Sequence, residues 1–201
     1  RQPESLTQML TSYRQLLRRR EMRLLLGMRF LPTYYWGTVN LLMPVLINRA
    51  AGVKMAGYYG TLSLVFASLC QILTGRVCDA IGTRIPAFVT TCLIALSAGL
   101  IALSVNSVVL LYASGILGAG AAWSLSVTMP RFINEFSDAE EKGHGVGITH
   151  LAWSAGFLSG QVVSGWLEAA SVSIPFVIAG GLVTISAGLA LRLWLYVKTE
   201  N

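Results

Sequence analysis

Six stretches of the chain are nearly free of charge and are divided by short polar punctuation. They run over roughly 29–49, 55–77, 85–105, 108–131, 145–168 and 174–197. Each is long enough, as a helix, to cross about 30 Å of hydrocarbon. Backbone amides in lipid must be satisfied within their own segment, so helix is expected even where Val and Ile favour strand. The two-residue alternation of a lipid-facing barrel is absent. The pattern predicts an all-α membrane protein with six transmembrane helices.

The punctuation agrees with these spans. Pro86 and Pro175 fall where a first helical turn begins, and a missing amide hydrogen costs little there. Asn106 and Ser107 part the third and fourth spans, and the run Ser137 to Gly143 parts the fourth and fifth. Connections this short make neighbouring helices antiparallel. Residues 1–24 are polar and basic. Ser5 and Gln8 have capping-box spacing, and Leu6, Met9, Leu10, Tyr13, Leu16 and Leu17 recur at helical intervals, with Arg14, Arg18 and Arg19 largely on another face. Two readings fit this segment. It is an amphipathic helix lying on the membrane surface, or it is a plain charged linker. The expected division is a cytoplasmic basic linker over 1–24 and a membrane bundle over 25–201. The leader is too long and too polar for a signal peptide, and the start at Arg1 reads as a piece of a longer chain.

Composition narrows the class. Hydrophobic residues make up 54% and charged residues 12%, about half the charge of a soluble domain. The net charge of +6 raises nucleic acid as a partner. That reading is rejected because the basic residues sit at span edges and form no patch with interleaved aromatics. Cys70, Cys78 and Cys92 lack metal-ligand spacing, so neither a metal nor a cofactor is expected. With the N-terminus inside, every Lys and Arg except Arg49 and Lys54 falls on the inner side; Arg29 counts there as the edge of the first span. The excess of inner positive charge puts both ends of the chain in the cytoplasm, in the plasma (cell inner) membrane.

The most specific segment joins the second and third spans and reads Gly75-Arg76-Val77-Cys78-Asp79-Ala80-Ile81-Gly82-Thr83-Arg84. Gly75 is expected to let two helices approach closely. Asp79 sets an acid among inner basic residues, Gly82 permits a tight turn, and Arg84 returns a positive charge to the next helix. This segment resembles the signature loop of the major facilitator superfamily, matching at Gly75, Asp79, Gly82 and Arg84 and departing at Ala80 and Thr83. A second stretch, from Gly115 and Gly118 through Arg131 and Glu141 to Gly156, Gly160 and Gly165, is similar to the fourth and fifth helices of a half in that family. The resemblance covers about 170 residues.

The resemblance implies a six-helix half built from two inverted three-helix repeats, with its first and fourth helices lining a central cavity. Ser114 stands where exporter N-terminal halves often carry Arg, and Gln161 follows Gly160 where they often carry Pro. Both departures favour the C-terminal half, with an N-terminal six-helix half of the same transporter as missing partner. The implied function is alternating-access transport of a small organic solute; proton-coupled efflux and uptake both fit.

Thr33, Trp36 and Asn40 share one face of the first span. Pro44 cannot donate to the carbonyl of Asn40, which frees that carbonyl. The group is either a substrate-facing site or an interhelical hydrogen bond beside a kink. Trp123 and Ser126 in the fourth span divide the same way, between ligand contact and packing. His150 is read as the ionisable residue well inside a span, close to Trp153, and its readings are proton coupling or a neutral backbone-bonded histidine. Asp79 is expected to pair with Arg131 or Arg84 as part of a conformational gate. Gly156 and Gly160 have small-residue spacing for close helix contact. Other classes weighed are a non-transporting membrane scaffold or receptor of the same fold and an intramembrane serine protease using Ser154 and His150. The protease lacks its usual glycine-serine setting, and no enzymatic activity is expected.

Overall fold

A computed structural model describes residues 6–198, with side chains over 11–195. Its seven helices are α1 (Leu6–Arg18), α2 (Arg20–Ala51), α3 (Val53–Ile81), α4 (Arg84–Leu103), α5 (Val108–Phe136), α6 (Lys142–Glu168) and α7 (Ile174–Lys198), and no strand occurs among the described residues. By length and composition α3, α4, α5 and α7 can each cross a membrane. Helices α2 and α6, with 32 and 27 residues, are also long enough but less apolar. Both line the site described below.

Three helices overrun the predicted spans. The first expected span starts at 29, but its helix starts at Arg20. Helices α3 and α5 continue past 77 and 131 to Ile81 and Phe136. A helix does not end where its apolar run ends; it ends where the backbone is interrupted. For α3 that interruption is Gly82, at φ 84°, whose N–H closes on the Cys78 carbonyl at 3.0 Å. A side chain is strained in that left-handed region.

Helix α2 packs on α6 and α7, α3 on α5, and α4 on α5 and α7. At the α2–α6 crossing the two backbones touch. A Cβ on Gly156 would sit 2.5 Å from the Phe30 carbonyl oxygen, and Cβ atoms on Gly160 and Gly37 would collide with the carbonyls of Tyr34 and Phe157. Thr38 and Ser164 then meet hydroxyl to hydroxyl at 2.7 Å. Also on α2, the buried Tyr35 hydroxyl lies 2.8 Å from Ser97 Oγ, which donates to the Ser114 carbonyl at 2.7 Å. This chain of polar contacts ties α2, α4 and α5 inside a core that includes Met43, Ile47, Ile94, Phe132 and Phe176. Gly75 departs from expectation. A Cβ there meets nothing within 4 Å, so it does not serve close helix approach.

The leader folds as α1 and docks on the bundle. Leu16 is buried, Tyr13 meets His144 edge to face at 5.4 Å, and Arg19 pairs with Glu141 at 2.8 Å and Asp138 at 3.4 Å. The expected Ser5 capping interaction lies outside the described residues.

Overpacking costs about 1–3 kcal/mol, which in a chain of this size shifts melting by roughly 2–12 °C. Gly160→Val is expected at or beyond the upper end, because backbone cannot move aside as a side chain can. Gly75→Ala is expected to leave melting unchanged or slightly raised, since Ala favours helix. Thermal unfolding of the two purified variants checks both; a neutral Gly160→Val contradicts the crossing.

Candidate functional site

A cavity of about 280 Å³ opens between α2, α5 and α6. Helix α2 contributes Met28, Arg29, Pro32, Thr33 and Trp36; α5 contributes Ala122, Trp123, Leu125 and Ser126; α6 contributes His150 and Trp153. Residues three, four or seven apart on a helix share a face, and the intervals 29–33–36, 122–126 and 150–153 turn these side chains inward together. Trp36 and Trp123 meet edge to face with centroids 6.3 Å apart, and Trp153 stacks on Phe157 at 5.4 Å. The walls are aromatic and carry a few polar groups.

The structure brings Thr33, Trp36, Trp123, Ser126 and His150 to one place. Asn40 does not join them; it is exposed and outside the lining. It shares a face with Thr33 but lies seven residues further on, about 10 Å along the axis. Thr33 spends its hydroxyl locally, donating to the Arg29 carbonyl at 2.6 Å.

Arg29 is the residue the sequence reading missed. Assigned there to the membrane edge, it lines the cavity, half-buried, and its Nη1 donates to Ser126 Oγ at 3.3 Å. His150 is therefore not the sole ionisable group at this depth. The available signal was spacing, since Arg29 stands four residues before Thr33 and seven before Trp36. Among the described residues Arg29 has no ion pair, and no Asp or Glu lines the cavity. Among the described residues no three His, Cys, Asp or Glu gather as a metal site.

A second cluster lies around the α3–α4 turn. Asp79 Oδ1 meets Arg131 Nη1 at 2.7 Å, and Arg131 Nη2 donates to the Gly75 carbonyl at 3.4 Å. Of the two expected partners Asp79 thus takes Arg131, while Arg84 takes Glu135. Glu135 was also missed, although it follows Arg131 by one helical turn on α5. Both pairs fasten the α3–α4 turn to the end of α5. The Asp79 side chain is 69% exposed, so this pair is worth only about 0.2–1 kcal/mol.

The sequence profile of the Major Facilitator Superfamily matches residues 25–201. The class C tetracycline resistance protein of Escherichia coli is 27% identical over 170 residues, covering 81% of this chain and 41% of that protein. The synaptic vesicular amine transporter of Mus musculus is 29% identical over 137 residues, covering 65% of this chain and 26% of that protein. The chain spans less than half the length of either relative.

Asp79→Asn and Arg131→Gln are each expected to destabilise by under about 1 kcal/mol, and the double variant by less than their sum. Thermal melts of the three proteins measure the coupling. Full additivity would dissolve the pair.

Proposed function

The chain belongs to the Major Facilitator Superfamily, and on that premise we propose that it forms the C-terminal six-helix half of a secondary active transporter for a small organic solute. The observation that carries this reading is the aromatic cavity between α2, α5 and α6. Its polar groups sit about 12–20 Å along their helices from one end of the bundle. Counted from the inner edges of the apolar spans, the same groups lie within about 8 Å of the boundary of a hydrocarbon layer about 30 Å thick, on the inner part of the path along which an alternating-access transporter moves its solute.

In this reading α2 to α7 each cross the bilayer, with both ends of the chain on the cytoplasmic side of the plasma or cell inner membrane. The distribution of Lys and Arg supports that orientation. Two inverted three-helix repeats are supported by the packing. Exchanging α2 with α5, α3 with α6 and α4 with α7 turns α2–α6 into α3–α5 and α2–α7 into α4–α5 and leaves α4–α7 unchanged, so the main packed pairs recur, and an odd number of crossings separates each exchanged pair. Ser114 and Gln161 support the C-terminal half, with an N-terminal half completing the solute path. Residues 1–24 act as the linker between the halves, with α1 held at the inner surface by Arg19.

Thr33, Trp36, Trp123 and Ser126 form this half's share of the solute wall. The Asp79–Arg131 and Arg84–Glu135 pairs act as a gate. They hold the inner end of α3 and α4 to α5 in one state and separate in the other. A pair worth so little to stability is suited to repeated opening. His150, on the wall of the same cavity, is the group that couples a proton to transport.

Two measurements on the complete transporter in vesicles test these roles. Asp79→Asn should reduce flux about tenfold through the conformational step while membrane abundance stays at the wild-type level; wild-type flux refutes the gate. His150→Ala should flatten the dependence of flux on pH, and an unchanged profile removes His150 from coupling.

A further inference from the structure

We propose that this cavity selects an organic anion, with its acidic group on Arg29 and Ser126 and an aromatic body against Trp36, Trp123 and Trp153. The inference rests on the transport reading above and names the charge of the solute.

Charge within the lining decides the sign. Arg29 carries a full positive charge. Its Nη1 donates to Ser126 Oγ at 3.3 Å, and no carboxylate pairs with it among the described residues. The other ionisable lining group, His150, is neutral or positive. No lining residue is acidic. A guanidinium presents five donors in a planar fork that fits a carboxylate or phosphate along two parallel bonds, and one contact to Ser126 leaves most of that fork free. The Ser126 hydroxyl, already beside Arg29, has a proton to give to the same acceptor.

The tryptophans set the shape of the remainder. By themselves they would attract an organic cation through their ring faces. A fixed positive charge in the same cavity opposes that cation, and a full charge outweighs a ring quadrupole. What suits both features is a flat apolar body bearing one anionic group. A volume of about 280 Å³ lies at the lower end of small-molecule sites, which span about 300–1,000 Å³. This half of the site therefore fits a single aromatic ring.

Radiolabelled benzoate is the probe, measured by equilibrium binding to the complete transporter in phosphatidylcholine nanodiscs. Unlabelled benzoate, benzamide and benzylamine compete; they share a ring and differ in charge. The expected result is saturable benzoate binding that benzamide and benzylamine displace at least about tenfold less well, the loss of one charge-assisted contact. Arg29→Gln should weaken benzoate binding by a similar factor, with Arg29→Lys intermediate. The competition series uses wild-type protein, so a variant that fails to fold leaves the test intact. Equal displacement by benzamide or benzylamine, or unchanged benzoate binding in folded Arg29→Gln protein, overturns the anion assignment and leaves the transport cavity standing. Binding abolished by admixing phosphatidylglycerol gives Arg29 to a lipid headgroup and also overturns it. Absence of saturable benzoate binding overturns the anion assignment.

Discussion

Direct contact between the backbones of α2 and α6 governs the geometry around the cavity. Gly37, Gly156 and Gly160 remove the side chains that would otherwise hold these helices apart. Helices packed through ordinary side chains stand 8–10 Å apart; small residues let membrane helices come closer. Because α2 and α6 are drawn together here, Arg29, Thr33 and Trp36 on one helix and His150 and Trp153 on the other converge with α5 on one volume. Attraction between apolar surfaces contributes little in lipid, so shape and interhelical hydrogen bonds carry the association. The Thr38–Ser164 contact illustrates this, since it forms where the glycines bring the backbones together.

Helix α5 joins the cavity to the charged turn. Trp123 and Ser126 face the cavity, and Arg131 and Glu135, about one and a half and two and a half turns past Ser126, reach Asp79 and Arg84. A single rigid element thus touches both the cavity wall and the pairs that fasten the α3–α4 turn. Two sites so placed respond to the same helix displacement. In alternating access, that is the physical link required between occupancy and opening at the membrane surface.

The charges fall into two kinds with different costs. Arg19, Arg84 and Arg131 are paired with carboxylates at one end of the bundle, and Arg49 pairs with Glu168 at the other. Such exposed pairs are inexpensive to make and to break. Arg29 has a serine for partner and sits where desolvation is expensive. Position along a continuous helix separates the two kinds. Because α2 begins at Arg20, Arg29 stands two and a half turns into it, instead of at its start.

The helical architecture was legible in the sequence because hydrophobic length and charge distribution are local, one-dimensional properties. They placed six long apolar segments and the α3–α4 turn at Gly82, and left the leader as either an amphipathic helix or a charged linker; the structure folds it as α1. The family was legible too, since the Gly75 to Arg84 spacing is contiguous. The site was legible only in part. Helical spacing grouped Thr33 with Trp36, and Trp123 with Ser126, but it could not state how far along α2 the cavity extends. Asn40 was consequently included and Arg29 left out. Likewise the sequence offered Asp79 two partners, and the direction in which α5 presents Arg131 and Glu135 chose between them. By itself the sequence determined which segments become helices and which faces carry polar groups, because those follow from backbone and hydrophobic periodicity. Only the tertiary structure decided which faces meet and at what height, because that depends on the α2–α6 glycine contact and the true start of α2.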